Sequence, residues 1–181
     1  MTHAAASPRF VGALCALTLS IGVLAACTPA PEPTPTATAL FASDEEAFAA
    51  AEETYRAYTE ALNEVDTSKP QTFEAVYKYT TGDFQNRDRK NFSTLHAERF
   101  AMTGDSQLVR FEGLKFDNES TITAEICVDV SKTDVINQDG VSMVPDDRPD
   151  VSGAIVKFEL DDDEVRIARA DRLEPDTCVA G

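Results

Sequence analysis

The sequence is poor in histidine and lacks the common catalytic motifs. Only two histidines occur, His3 and His96, and His3 lies in an N-terminal segment that we expect to be removed. A His-rich metal site is therefore excluded, and any Ser-His-Asp triad would have to use His96. No Gly-x-Ser-x-Gly motif and no phosphate-binding glycine-rich loop is present. Motifs thus identify no catalytic residue, and we predict no cofactor.

Basic residues are also scarce. The 181 residues carry 16 Lys+Arg against 32 Asp+Glu, a formal net charge of −16 at pH 7. Nucleic-acid binding depends largely on Lys and Arg side chains that neutralise phosphates, so we predict that this chain binds no nucleic acid. The simplest interpretation of the excess acid is a solvated surface that keeps the domain soluble.

The N-terminal segment has the anatomy of a signal peptide. Residues 1–9 contain no acid and end in a cation, and residues 10–26 are almost entirely apolar. The segment ends in Leu-Ala-Ala-Cys, from Leu24 to Cys27. This ending resembles the lipobox of bacterial lipoproteins, in which a Leu and two small residues precede an obligatory Cys. The resemblance implies cleavage before Cys27, lipidation of its sulfur, and an extracytoplasmic protein whose partner is the membrane.

An uncleaved transmembrane anchor is the alternative for the same segment. Its apolar run, roughly 17 residues, lies at the lower limit for spanning a hydrocarbon core. A Cys that follows small residues and precedes a proline-rich stretch is more typical of a processed, lipidated terminus. We therefore rank the anchor second.

The next segment is predicted to be a spacer. Thr, Pro and Ala dominate it, and proline occupies positions 29, 31, 33 and 35. Such a composition cannot build a core, and alternating prolines hold a chain extended at about 3.1 Å per residue. We therefore predict a removed signal peptide at 1–26, a lipidated Cys and tether at 27–42, and one domain at 43–181.

The first half of the domain has helical periodicity. Ser43 opens a Ser-x-x-Glu capping box, and apolar residues then recur at helical spacing as far as Val65, which predicts a first helix. A short second helix is predicted over 71–79. A third is predicted over 83–102, with a left-handed cap at Gly104.

After Gly104 the apolar residues alternate, which predicts strands. Asp139-Gly140 predicts a hairpin turn, because glycine tolerates the positive φ that tight hairpins require. We expect this hairpin to supply the third strand of the sheet. The other strands are predicted at 108–116, 121–130, 151–160 and 165–173.

Helices followed by an antiparallel meander predict an α+β domain, with the helices on one face of a curved sheet. This element order resembles the nuclear-transport-factor-2-like fold, within the cystatin-like group, over residues 43–181. The whole layout also resembles small actinobacterial lipoproteins with no agreed activity: lipobox, Thr/Pro tether, helix-rich start and a Cys-containing strand ending in Asp-Val-Ser. The resemblance implies a conical cavity between helices and sheet, where an Asp or Tyr can act as base or oxyanion donor.

Two cysteines remain for the mature domain. Cys15 is expected to leave with the signal peptide and Cys27 to be modified, so Cys127 and Cys178 form one possible pair. Outside the cytoplasm they should be oxidised, and the bond would fix the C-terminus to the sheet. The alternative, two separate buried thiols, ranks second.

Five residues are candidates for the cavity, although each also has a simpler interpretation. The tyrosines extend apolar helix stripes, the histidine lies beside charged helix residues, and the aspartate can face outward from its strand. No catalytic pair follows from their spacing. The five are Tyr55, Tyr58, Tyr77, His96 and Asp129.

Two acidic clusters, 146–150 and 161–164, fall in predicted loops or turns. Their spacing does not fit an EF-hand calcium loop. We interpret them as solvated turn residues and predict no metal site.

Two functions remain open. We predict a non-enzymatic binding or interaction module on the outer face of the membrane, which takes an envelope protein or a small apolar ligand. The alternative is a small-molecule enzyme of the isomerase, dehydratase or hydrolase type. An enzyme needs an open cavity into which an acid or tyrosine with a perturbed pKa points, whereas a module could have its cavity filled by Phe and Leu.

Overall fold

The computed structural model describes residues 40–117, 120–174 and 177–178. The predicted signal peptide, Cys27 and nearly all of the tether therefore lie outside the described residues. Among the described residues, none of the helices combines the length and the apolar character that a membrane span requires. The helices are α1 (Asp44–Asn63), α2 (Phe73–Tyr77) and α3 (Gly82–Glu98). The strands are β1 (Ala101–Thr103), β2 (Gln107–Phe116), β3 (Thr121–Asp129), β4 (Asp134–Ile136), β5 (Val151–Asp161) and β6 (Glu164–Arg172).

Helix α1 begins where the capping box predicts. The Ser43 hydroxyl accepts a hydrogen bond from the backbone N–H of Glu46 at 3.3 Å, and the Glu46 carboxylate accepts one from the N–H of Ala42 at 2.8 Å. These bonds satisfy N–H groups that have no partner within the helix. One face of the helix, including Ala51 and Tyr58, is buried against the sheet. The prediction of the first helix is confirmed.

Helix α3 ends four residues earlier than its periodicity predicts. Arg99 follows it in the left-handed conformation, with φ of 56°, and the N–H of Phe100 donates to the Leu95 carbonyl oxygen at 2.9 Å. Met102, predicted to be helical, lies instead in strand β1. Pairing of β1 with β4 satisfies backbone groups and half-buries Met102, which offsets the cost of placing a non-glycine residue at the cap.

Four strands form the main sheet, an antiparallel meander in the order β2-β3-β5-β6. Ile126 in β3 is aligned with Phe111 of β2 and with Ala154 of β5. The even-numbered residues of β3 face the helices, and with Phe158 and Ile167 they form the centre of the core. The predicted α+β fold, helices on one face of an antiparallel sheet, is confirmed.

The predicted hairpin forms but does not join the main sheet. The N–H of Asn137 donates to the Val141 carbonyl oxygen at 2.9 Å, and Gly140 has the expected positive φ of 76°. Strand β4 pairs with β1 in a separate two-stranded sheet, which we call the β1–β4 ladder. The expectation that the hairpin supplies the third strand of the sheet is therefore wrong, because the segment after Asp129 leaves β3 to pair with β1.

A disulfide joins Cys127 on β3 to Cys178 in the C-terminal segment, across a sequence separation of 51 residues. It lies on the face of the sheet opposite the helices. A Cβ at Gly153 would come within 2.7 Å of the Cys178 sulfur, so the segment passes where this strand has no side chain. The predicted disulfide is confirmed, and it holds the C-terminal segment against β3 and β5.

Candidate ligand-binding cavity

A cavity of about 550 Å³ lies between α1, α3, the inner face of the sheet and the β1–β4 ladder. Small-molecule sites typically have volumes of roughly 300–1,000 Å³. Exposed residues of α3 and β6, Arg87, Asn91 and Arg172, line one side, so the cavity is accessible from solvent there. No phenylalanine in the described part of the chain lines it. Its apolar lining includes Leu62, Met102, Ile126, Val128, Val135 and Ala154.

Tyr55 and Tyr58 contribute the aromatic part of the lining. Both project from the buried face of α1, and their ring centroids are 5.7 Å apart. Edge-on contacts with Phe158 and Phe84 hold the two rings in place. Burial raises the pKa of both tyrosines, because it disfavours the phenolate form. Both hydroxyls are therefore neutral hydrogen-bonding groups at the cavity wall.

Asp88 on α3 lies directly behind Tyr58. This residue is only 7% exposed, and its carboxylate lies beside the Tyr58 hydroxyl. Burial raises the pKa of Asp88 to about 6, although the Tyr58 hydroxyl and the nearby Arg87 act in the opposite direction. Its Oδ2 atom is buried and has no hydrogen-bond partner among the described residues. Asp88 and Tyr58 thus form a buried acid–phenol pair at the cavity.

Asp88 is not among the residues predicted from the sequence. A signal was present, because Asp88 lies four residues after Phe84 and four before Phe92, in the middle of the buried stripe of α3. An acid at helical spacing between two core aromatics is a candidate for a buried, perturbed carboxyl group.

Arginine side chains dominate the charge of the cavity lining. Arg87, Arg148 and Arg172 line it, against a single acid, Asp134. The Asp134 carboxylate is engaged within its own hairpin, where it accepts hydrogen bonds at 2.7 Å from the Val135 N–H and from the Ser142 hydroxyl. A chain with a net charge of −16 therefore encloses a cavity with a positive lining.

Arg148 is fixed by the loop between β3 and β4. Its Nη2 atom donates at 2.7 Å to the carbonyl oxygens of both Val130 and Thr133, and its Nη1 atom donates to the Thr133 hydroxyl at 3.0 Å. All three acceptors are neutral. The guanidinium is therefore held in position while its charge is not balanced by a carboxylate in these contacts.

The structure places the other three candidate residues outside the cavity lining. The ring of Tyr77 packs against Phe92 and lies 3.8 Å from the Arg89 guanidinium. His96 is exposed, and its Nδ1–H donates to the Thr67 carbonyl oxygen at 2.8 Å.

Asp129 lies on the other side of the β3 end, in a polar surface depression beside Arg56 and Lys132. Hydrogen bonds from Ser131 lower the pKa of its carboxyl group. Of the five candidates, the structure brings only Tyr55 and Tyr58 to the cavity, and it does not bring His96 or Asp129 together with a tyrosine there.

The described residues contain no group of three or more His, Cys, Asp or Glu side chains placed to hold a metal ion. In the acidic turn after β5, Asp162 and Asp163 adopt positive φ angles, and Arg166 forms salt bridges with Asp161 and Glu164. These contacts agree with the interpretation of this cluster as turn residues.

Comparison with known proteins gives a fold and no family. No protein-family model matches the chain, and no curated protein matches it. The intermembrane-space region of the chloroplast protein ARC6 has a similar structure, with a TM-score of 0.50 and 9% identity over 70% of this chain and 95% of that one.

Two bacterial structures have lower TM-scores. A protein provisionally classed as an aromatic ring hydroxylase, from Novosphingobium aromaticivorans, has a TM-score of 0.48 and 17% identity over 70% of this chain and 89% of that one. A provisionally classed polyketide cyclase from Xanthomonas campestris has a TM-score of 0.36 and 14% identity over 70% and 90%. The helices and antiparallel sheet agree with the α+β architecture predicted from the element order, and at these identities the likeness concerns the fold alone.

Proposed function

We propose that this chain is a binding module for a small, largely apolar molecule and is held at the outer face of a membrane by a lipid on Cys27. The observation that carries the binding role is the open cavity of about 550 Å³. In a module that docks proteins through its surface, this space could be filled by large apolar side chains. Here Ala154, Ala170 and Ser152 leave it empty, which supports a ligand inside the fold.

Two observations support the extracytoplasmic location. The N-terminal sequence resembles a lipoprotein signal ending at Cys27. The Cys127–Cys178 disulfide is of a kind that persists in oxidising compartments and is rare where thiols are kept reduced.

The binding role is tested with apolar probes and a variant that fills the cavity. Naphthalene-2-carboxamide, 2-naphthoate, octanamide and octanoate are titrated into the full chain by calorimetry. We expect at least one probe to bind, and Ala154→Leu to weaken that binding about tenfold or more, because the added side chain occupies the cavity. Ala49→Leu, on the exposed face of α1, is the matched control and should bind like the wild type. Binding of no probe, or equal binding by both variants, would contradict the proposal.

A second candidate function, catalysis in the same cavity, is favoured by the pair Asp88–Tyr58. A carboxyl group with a pKa near 6 is able to give or take a proton near neutral pH, and Tyr58 connects it to the cavity. The two functions differ in turnover. If a bound probe is converted to product and Asp88→Asn abolishes conversion while leaving binding intact, the chain is an enzyme; binding without conversion supports the module.

A further inference from the structure

We infer that the ligand is an amphiphile with one carboxylate group, whose apolar body fills the cavity and whose carboxylate is bound by Arg148 and Arg172. This inference rests on the proposed binding function and specifies the class of ligand. It is carried by the positions, contacts and charge balance of these two arginines.

Arg148 has two unused hydrogen-bond donors. Its three hydrogen bonds to Val130 and Thr133 use three of the five N–H groups of a guanidinium. The remaining two, on Nε and Nη1, have no acceptor among the described residues, and Nε is not buried away from solvent. A guanidinium fixed by neutral acceptors, with two unused donors, is preorganised for an anion.

Arg172 lies near Arg148 and is free of partners within the described part of the chain. Both residues line the cavity and also the shallower depression next to it, so both stand at its edge. The Arg172 side chain forms no hydrogen bond or salt bridge with another described residue. Asp147 lies in the same depression but forms no salt bridge with either arginine. Two positive charges thus remain unpaired at the edge of an apolar cavity.

The charge balance selects an anionic ligand over a neutral or cationic one. Acids outnumber bases two to one in the chain, yet arginines outnumber acids three to one in the cavity lining. The apolar wall behind them, with Val128 and Ala154, offers no partner for a second charge. A single carboxylate at the edge and an apolar body inside satisfy both regions.

The test compares acid and neutral forms of the same apolar body. 2-Naphthoate and octanoate are titrated against naphthalene-2-carboxamide and octanamide in the full chain at pH 7 and low salt, with 2-naphthyl phosphate as a third head group. We expect each carboxylate to bind about tenfold or more tighter than its amide, because a charge-assisted contact is worth roughly one decade of affinity or more. Added salt should reduce the difference.

Variants assign the effect to the two arginines. Arg172→Gln should bring the affinity for the carboxylates close to that for the amides and leave amide binding unchanged. Arg169→Gln removes one charge from the same strand, outside the cavity lining, and should leave the preference intact. Arg148→Lys keeps the charge but loses the planar donors, and should reduce the preference partly.

The outcomes separate this inference from the proposed function. If acids and amides bind the cavity equally, or 2-naphthyl phosphate binds while the carboxylates do not, the carboxylate assignment is wrong and the binding function stands. If Arg169→Gln and Arg172→Gln weaken carboxylate binding equally, the effect is one of net charge and the assignment is again overturned. If no probe binds, both the inference and the proposed function fail.

Discussion

The Tyr58 hydroxyl on α1 lies beside the Asp88 carboxylate on α3, and the two residues are 6% and 7% exposed. This proximity connects two helices that both border the cavity. Burial outweighs the opposing effects of Tyr58 and Arg87, so that the pKa of Asp88 lies at about 6. At neutral pH this buried carboxyl group is ionised, which lowers the stability of the fold. Such costs are common for groups that serve function.

Replacing Asp88 should make the protein more stable at neutral pH. Because the folded state raises the pKa of Asp88 above its ordinary value of 3.8, the folded protein holds the proton more tightly than the unfolded chain. Stability from this group is greatest below pH 4 and falls as the pH rises towards about 6. At pH 7, Asp88→Asn should therefore raise the free energy of unfolding by up to about 3 kcal/mol, with almost no difference at pH 4.

Urea denaturation of both proteins between pH 4 and 8 measures this difference. Asp163→Asn, which removes an exposed turn acid, is the matched control. A gap between wild type and Asp88→Asn that stays constant with pH would show that the Asp88 carboxyl group is not perturbed. Tyr58→Phe removes the hydroxyl that favours the charged form, so the pKa of Asp88 should rise further.

Loss of the Cys127–Cys178 bond should destabilise the domain strongly. Closing a loop of 51 residues restricts the unfolded chain, and the chain-entropy relation gives about 4 kcal/mol as an upper figure. The double variant Cys127→Ala/Cys178→Ala should lose most of this stabilisation, measured as the free energy of unfolding at equilibrium. The single variant Cys178→Ala should lose nearly as much, since either removes the crosslink. A double variant as stable as the oxidised wild type would refute the stabilising role.

The sequence patterns that depend on local physics predicted most of the fold. The Ser43 capping box, the alternation along β3 and the Asp139-Gly140 turn each specify backbone geometry within a few residues. The end of α3 was misplaced because β1 has only three residues and pairs with β4, far along the chain. No local pattern shows that pairing, and as a result the left-handed cap lies at Arg99 instead of at Gly104, where it was predicted.

The cavity was less predictable than the fold because its charged residues meet only after folding. Arg87, Arg148 and Arg172 come from a helix, a loop and a strand that are distant in sequence. Asp129, by contrast, lies on the odd-numbered face of β3, away from the helices, in agreement with the simpler interpretation that it faces outward from its strand. His96 was predicted as a candidate because histidine is rare in the chain. The structure instead places a buried acid, Asp88, within the apolar stripe of α3 beside the cavity.

Glycine is required at position 104 for two reasons. Gly104 has a φ of +73°, and an added Cβ would lie 1.8 Å from the Lys132 carbonyl oxygen. Gly104→Ala should therefore cost the left-handed penalty of about 1–2 kcal/mol plus a backbone displacement, at least about 3 kcal/mol in total. Gly140 is the matched control, because its φ is +76° but nothing lies within 4 Å of its added Cβ. Gly140→Ala should cost only the conformational penalty, and equal losses for both in urea denaturation would contradict the steric argument.

The predicted lipid on Cys27 can be tested by expressing cysteine variants in a bacterial host that processes lipoproteins. Cys27→Ser should release the protein from the membrane fraction, because two or more acyl chains hold a protein stably while a chain without them lacks the anchor. Cys15→Ser is the matched control, since Cys15 lies within the segment that we expect to be removed. Intact mass of the detergent-extracted wild type should correspond to a chain that begins at Cys27 and carries a diacylglyceryl group. A wild-type chain that retains Met1, or a Cys27→Ser variant that remains membrane-bound, would rule out the lipid anchor.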